Sequence, residues 1–139
     1  MRVLIADDDT ELRELIADAI AALGADVVCA ASGGELEDEL TSGRPFDVVV
    51  TDVTMPVRTG LEVMQWARST GIVCPIVVMT ALRDDQTTAQ VEALGAHVVL
   101  LHKPFSRRAL HSALTTCMED TAPTSTTGGR AVPLAPGVV

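Results

Sequence analysis

The chain has 139 residues, about one domain's worth, and 47% of them are apolar, enough to bury a core without disulfides or a structural metal. Its formal charge of -9, with no basic stripe to offset it, opposes nucleic-acid phosphates and anionic lipid heads and argues against direct DNA binding. No apolar run approaches bilayer length and Met1 leads straight into a strand-like segment, so the expectation is a cytoplasmic protein without membrane insertion.

The first apolar run, Val3 to Ala6, has strand length and ends at Asp7, Asp8 and Asp9. Leu12, Leu15, Ile16, Ala19, Ile20 and Leu23 then recur at helical spacing, with Glu11, Arg13, Glu14 and Asp18 on the other face. This predicts an amphipathic helix over about 10–23, capped by Thr10 and ended by Gly24. A second strand, Val27 to Ala30, precedes a more polar helix near 34–42. The third strand, Val48 to Thr51, closes on Asp52 and the turn-forming Val53-Thr54-Met55-Pro56. A helix containing Leu61 to Ala67 follows, with Trp66 as packing. Next come a strand at Ile76 to Thr80 and a polar helix near 84–94 with Asp84-Asp85 as its cap. The fifth strand, Val98 to Leu101, leads through His102 to Lys103-Pro104. The last helix, about 106–119, starts at Ser106 and buries Ala109, Leu110, Ala113, Leu114 and Cys117. From Thr121 to Val139 the residues are Thr, Ser, Gly and Pro-rich without periodicity, so the domain spans 1–120 and a flexible tail 121–139. Cys29, Cys74 and Cys117 are an odd, widely spaced set and read as buried thiols.

Strands that are continuous Val/Ile/Leu runs are those of a parallel sheet covered on both faces. Five βα units with short connections predict an α/β, doubly wound, five-stranded parallel sheet of flavodoxin-like order 2-1-3-4-5 with five helices. The C-terminal edge of such a sheet binds ligands, and it would carry Asp7 to Asp9, Asp52, Thr80 and Lys103. Clustered carboxylates repel one another unless a cation enters, and an all-oxygen set without neighbouring His or Cys suits Mg2+ rather than zinc. Lys103 is the chain's single lysine and supplies a second positive centre. Asp52 is then placed to attack phosphorus in line, with the two positive centres stabilising the equatorial oxygens.

Asp7-Asp8 after the first strand, Asp52 with Met55-Pro56 and Gly60 after the third, Thr80-Ala81 after the fourth and Lys103-Pro104-Phe105 after the fifth make the chain resemble the receiver domain of two-component response regulators, from residue 2 to about 119. The resemblance implies that Asp52 is the phosphoacceptor, fed by the phosphohistidine of a histidine kinase or histidine phosphotransfer protein. It implies Asp8 and Asp52 as direct magnesium ligands, Asp7 acting through water, and the Thr54 backbone carbonyl as a further ligand. Thr80 and the Ala81 amide would turn toward the phosphoryl group, and the Lys103-Pro104 peptide would be cis. The implied output is protein contact with a downstream partner, without metabolite turnover.

The chain departs from the family at three points. It is one residue longer between Thr80 and Lys103; Leu100 stands where an aromatic switch residue is usual; and Leu82 lies beside the path of a hydrolytic water, where it cannot act as a base. A constitutive binding scaffold is the alternative that the first two departures favour. A phosphohydrolase is disfavoured, because Asp52-Val53-Thr54 lacks a second acid.

Overall fold

In the computed structural model, which describes residues 1–55 and 58–119, each strand feeds the helix that follows it. The order is β1 (Arg2–Ala6), α1 (Thr10–Ala21), β2 (Asp26–Ala30), α2 (Gly33–Leu40), β3 (Val48–Asp52), α3 (Gly60–Ser69), β4 (Ile76–Thr80), α4 (Asp85–Glu92), β5 (Val98–His102) and α5 (Arg107–Glu119). The strands pair in parallel in the order β2-β1-β3-β4-β5, as expected. The tail from Thr121, together with Pro56 and Val57, lies outside the described residues.

Alternation along the strands divides the apolar residues between two cores. Leu4, Val49, Ile76 and Val78 meet Leu36 of α2, Val63, Met64 and Ala67 of α3, and Val91 of α4. Val3, Ile5, Val48, Val50, Val77 and Met79 meet Ile16 and Ile20 of α1 and Leu110, Ala113, Leu114 and Cys117 of α5. Helices therefore cover both faces of the sheet, which is why its strands are apolar throughout.

The expectation that all five strands are buried on both faces is corrected at the two edges. The central strands β3 and β4 are buried along their whole length, whereas β5 is half-buried at every position and β2 exposes Asp26 and Cys29. Cys29 is therefore not a core thiol, while Cys74 and Cys117 are. On α1 the apolar stripe is narrower than its periodicity predicts, because Leu15 and Leu23 remain exposed. The helix also starts one residue earlier in its capping chemistry: Asp9, not Thr10, is the N-cap, accepting from the Leu12 N–H. Asp84 caps α4 by accepting from the Thr87 N–H, and these bonds hold its carboxyl below the ordinary aspartate range. The Ser106 hydroxyl accepts from the Ala109 N–H at 3.0 Å at the start of α5.

Two glycines allow close approach around the loop after β3. A Cβ on Gly60 would lie 2.0 Å from the Asp52 carbonyl oxygen, and one on Gly33 would lie 2.0 Å from the Arg58 carbonyl oxygen. Arg58 also pairs with Glu37 of α2 and lies over the Trp66 ring of α3, so this loop is fastened to both helices.

Candidate functional site

Three strand ends converge. β1 delivers Asp7 and Asp8, β3 ends on Asp52, and β5 runs directly into Lys103. The parallel register sets Ala6 beside Thr51 and Thr80 beside His102, so the ends lie level along one edge. The Lys103 ammonium donates to Asp7 Oδ2 at 3.0 Å and lies 3.3 Å from Asp52 Oδ1. One ligand oxygen from each of Asp7, Asp8 and Asp52 falls within 4.8 Å of the others. The sequence thus names acids that do meet, and the ammonium that joins them.

The acids differ in setting. Asp7 is fully buried, with Oδ1 accepting from the Asp9 N–H at 2.9 Å and Oδ2 held by Lys103. Asp8 is exposed, with a carboxylate oxygen near those of Asp7 and Asp52. Asp52 is 8% exposed. Burial raises its pKa, the Asp7 charge raises it further, and Lys103 opposes both without cancelling them. For Lys103, burial alone would lower the pKa, but hydrogen bonding to Asp7 and the charges of both acids outweigh it and leave the ammonium above its ordinary value.

Thr80 is buried at the end of β4, and its hydroxyl accepts from the Leu82 N–H at 2.9 Å. Its carbonyl accepts from the Lys103 N–H at 2.8 Å, which ties the threonine strand to the lysine. Ala81 and Leu82 are exposed just beyond, and Thr54 is exposed beyond Asp52. Met55 is buried as packing, and the Lys103-Pro104 peptide is cis as expected. Arg13, which helical periodicity places on the polar face of α1, is instead half-buried and donates to the Asp7 carbonyl at 2.7 Å. Its place in the first turn after the acidic loop was the available signal. His97, His102 and His111 do not join the acids among the described residues.

Carboxylate oxygens confined to this distance, with a surplus of negative charge over the lone ammonium, suit a hard divalent cation. Asp7 has protein donors on both oxygens, which leaves Asp8 and Asp52 with the freer lone pairs.

The family model described as "Response regulator receiver domain" matches residues 3–115. Response regulator MprA of Mycolicibacterium vanbaalenii is 38% identical over 124 residues, covering 88% of this chain and 52% of that protein. The namesake from Mycobacterium avium is also 38% identical, with 53% of its length covered. The chain therefore spans about half the length of these relatives. Among solved structures, the receiver domain of the Francisella response regulator 1452 is similar with a TM-score of 0.77 and 27% identity, covering 87% of this chain and 98% of that one. The Vibrio cholerae chemotaxis protein CheY4 is similar with a TM-score of 0.76 and 30% identity, covering 84% and 97% respectively. Fold, converging strand ends and sequence agree, and the chain belongs to the response regulator receiver domain family.

Proposed function

We propose that this receiver accepts a phosphoryl group on Asp52 and signals through protein contacts. The observation that carries the reading is the Lys103 ammonium standing between the buried Asp7 and the Asp52 carboxylate. The donor would be a phosphohistidine of a histidine kinase or histidine phosphotransfer protein. An Asp52 oxygen forms the new O–P bond as the N–P bond breaks, and the imidazole leaves with the electron pair and takes a proton from water. Lys103 neutralises charge on the transferring oxygens, and Thr80 with the Ala81 amide would bind one of them. Asp8, Asp52 and the Thr54 carbonyl would hold Mg2+, with Asp7 behind them. When bound, the ion supplies charge neutralisation at the phosphoryl oxygens. The protein turns over no metabolite in this reading.

A small-molecule phosphodonor with Mg2+ should add one phosphate per chain, read by intact mass. Steady release of phosphate from varied esters would instead indicate a phosphohydrolase, and no incorporation would favour the constitutive scaffold.

Protons and cation compete at Asp52, because its raised pKa keeps a proton on the carboxylate to higher pH than usual. Mg2+ affinity by calorimetry should therefore begin to weaken at a higher pH than an ordinary aspartate ligand would impose, and Asp52→Asn should remove that displacement. A wild-type affinity that weakens only where an ordinary aspartate titrates would refute the assignment.

Leu82 is 45% exposed and offers no group to orient water. The aspartyl phosphate should be long-lived, and Leu82→Glu should shorten its lifetime on the order of tenfold by supplying a base. Equal rates of phosphate loss from the two proteins would count against this.

A further inference from the structure

Asp7 is held at every polar atom it has. Its N–H donates to the Ala30 carbonyl of β2 at 3.1 Å, Oδ1 accepts from the Asp9 N–H, Oδ2 accepts from Lys103, and its carbonyl accepts from Arg13 Nη1 at 2.7 Å. The carbonyl is the group that the sheet does not serve, because the pairing of β1 with both β2 and β3 ends at Ala6. Asp8 stands in contrast. Among the described residues no hydrogen bond or ion pair engages its carboxylate, yet one of its oxygens lies within 4.8 Å of oxygens of Asp7 and Asp52.

The Asp8 side chain is therefore placed by its backbone, and one residue holds the carbonyls on either side of it. Arg13 donates its own N–H to the Asp9 carbonyl at 2.9 Å and its guanidinium to the Asp7 carbonyl, so it grips the turn before and after Asp8. The backbone bond belongs to the first turn of α1, which Asp9 caps, and any residue but proline at position 13 would make it. The side-chain bond is particular to arginine: it is charge-assisted, half-buried and reaches back six residues along the chain.

A cation on a backbone carbonyl beside clustered acids can act in two opposite ways. Its charge weakens the attraction of the acids for a second cation, whereas its bond fixes the turn, so that the exposed acid needs little ordering when that cation arrives. Arg13 forms an ion pair with none of the three carboxylates, which directs its effect through the backbone.

We propose that Arg13 is a positioning residue for the cation site, fixing the turn from Asp7 to Asp9 so that Asp8 keeps a carboxylate oxygen within reach of Asp52. The inference rests on the Mg2+ site proposed above and names the residue that preorganises it.

The test compares the full chain with Arg13→Ala and Arg13→Gln. The glutamine variant keeps a long polar side chain and good helix propensity, and it carries the test alone if the alanine variant does not fold. In metal-free buffer, exchange of the Asp9 amide hydrogen should quicken in both variants by a larger factor than exchange along β3 and β4, because the carboxylate that accepts it belongs to a residue no longer held at its carbonyl. Mg2+ affinity of the folded proteins, by calorimetry, should weaken on the order of tenfold. Removal of charge alone would tighten binding, and a merely structural role would lower the melting temperature while leaving the affinity of the folded protein unchanged. Either result, or an Asp9 amide exchanging at the wild-type rate, would overturn the role of Arg13 and leave the cation site standing. A wild type that binds no Mg2+, or binds it no better than Asp8→Asn does, would overturn the cation site and this role with it.

Discussion

Asp52→Asn should take up no phosphoryl group from a small-molecule donor and, in metal-free buffer, should melt about 4 °C higher than the wild type. Loss of uptake follows from the proposed acceptor role, since the variant lacks the carboxylate that would form the O–P bond. The gain in stability follows from electrostatics: burial and the neighbouring Asp7 charge raise the Asp52 pKa, so keeping this carboxylate ionised at neutral pH works against folding. For an acid whose folded pKa is raised, the unfavourable contribution is full above the folded value, fades as pH falls through it, and vanishes below the unfolded value. The difference in melting temperature should therefore be largest at neutral pH and close toward the ordinary aspartate range. Lys103 keeps Asp7 as a partner in the variant, so no cation is stranded. A melting temperature at or below that of the wild type in metal-free buffer would show that the Lys103 contact outweighs burial and repulsion. Phosphate on Asp52→Asn would place the acceptor elsewhere.

Gly60→Ala should cost at least about 3 kcal/mol of stability and lower the melting temperature by about 10 °C. The added carbon would lie 2.0 Å from the Asp52 carbonyl oxygen and 2.6 Å from Thr51 Oγ1. Neither neighbour can yield easily, since the first is backbone at the end of a fully buried strand and the second donates to that same carbonyl at 3.0 Å. The Gly60 N–H also donates to the Val53 carbonyl at 3.0 Å, which closes the loop behind Asp52. Relief requires the end of β3 to move, and phosphoryl uptake should fall with it. Denaturant melts giving equal midpoints for variant and wild type would remove this argument.

The sheet and its active edge were legible because both are written in local pattern. Continuous runs such as Val48 to Val50 and Ile76 to Val78 mark strands covered on two faces, and the acids and lysine follow such runs immediately. Whether a run is central or at an edge is not local information. Val98 to Leu101 is as apolar as β4 yet is half-buried, because only its place in the strand order leaves one side unpaired. The same cause exposes Cys29 on β2. The α1 cap falls on Asp9 and not on Thr10, adjacent residues of similar capping capacity that only backbone geometry separates. The long-range fastenings had no local signature at all. Arg58 with Glu37, Gly33 against the Arg58 carbonyl, and Arg13 on the Asp7 carbonyl arise from tertiary proximity rather than sequence spacing.

The scarcity of lysine has a practical side. An acylating reagent that attacks primary amines has a single side-chain target in this protein, and that target stands between Asp7 and Asp52. Ion pairing keeps its nitrogen protonated and therefore poorly nucleophilic, so modification should be sluggish compared with the amino terminus. The extent of labelling at this one position becomes a chemical gauge of the acidic site, readable by mass without introducing any foreign probe.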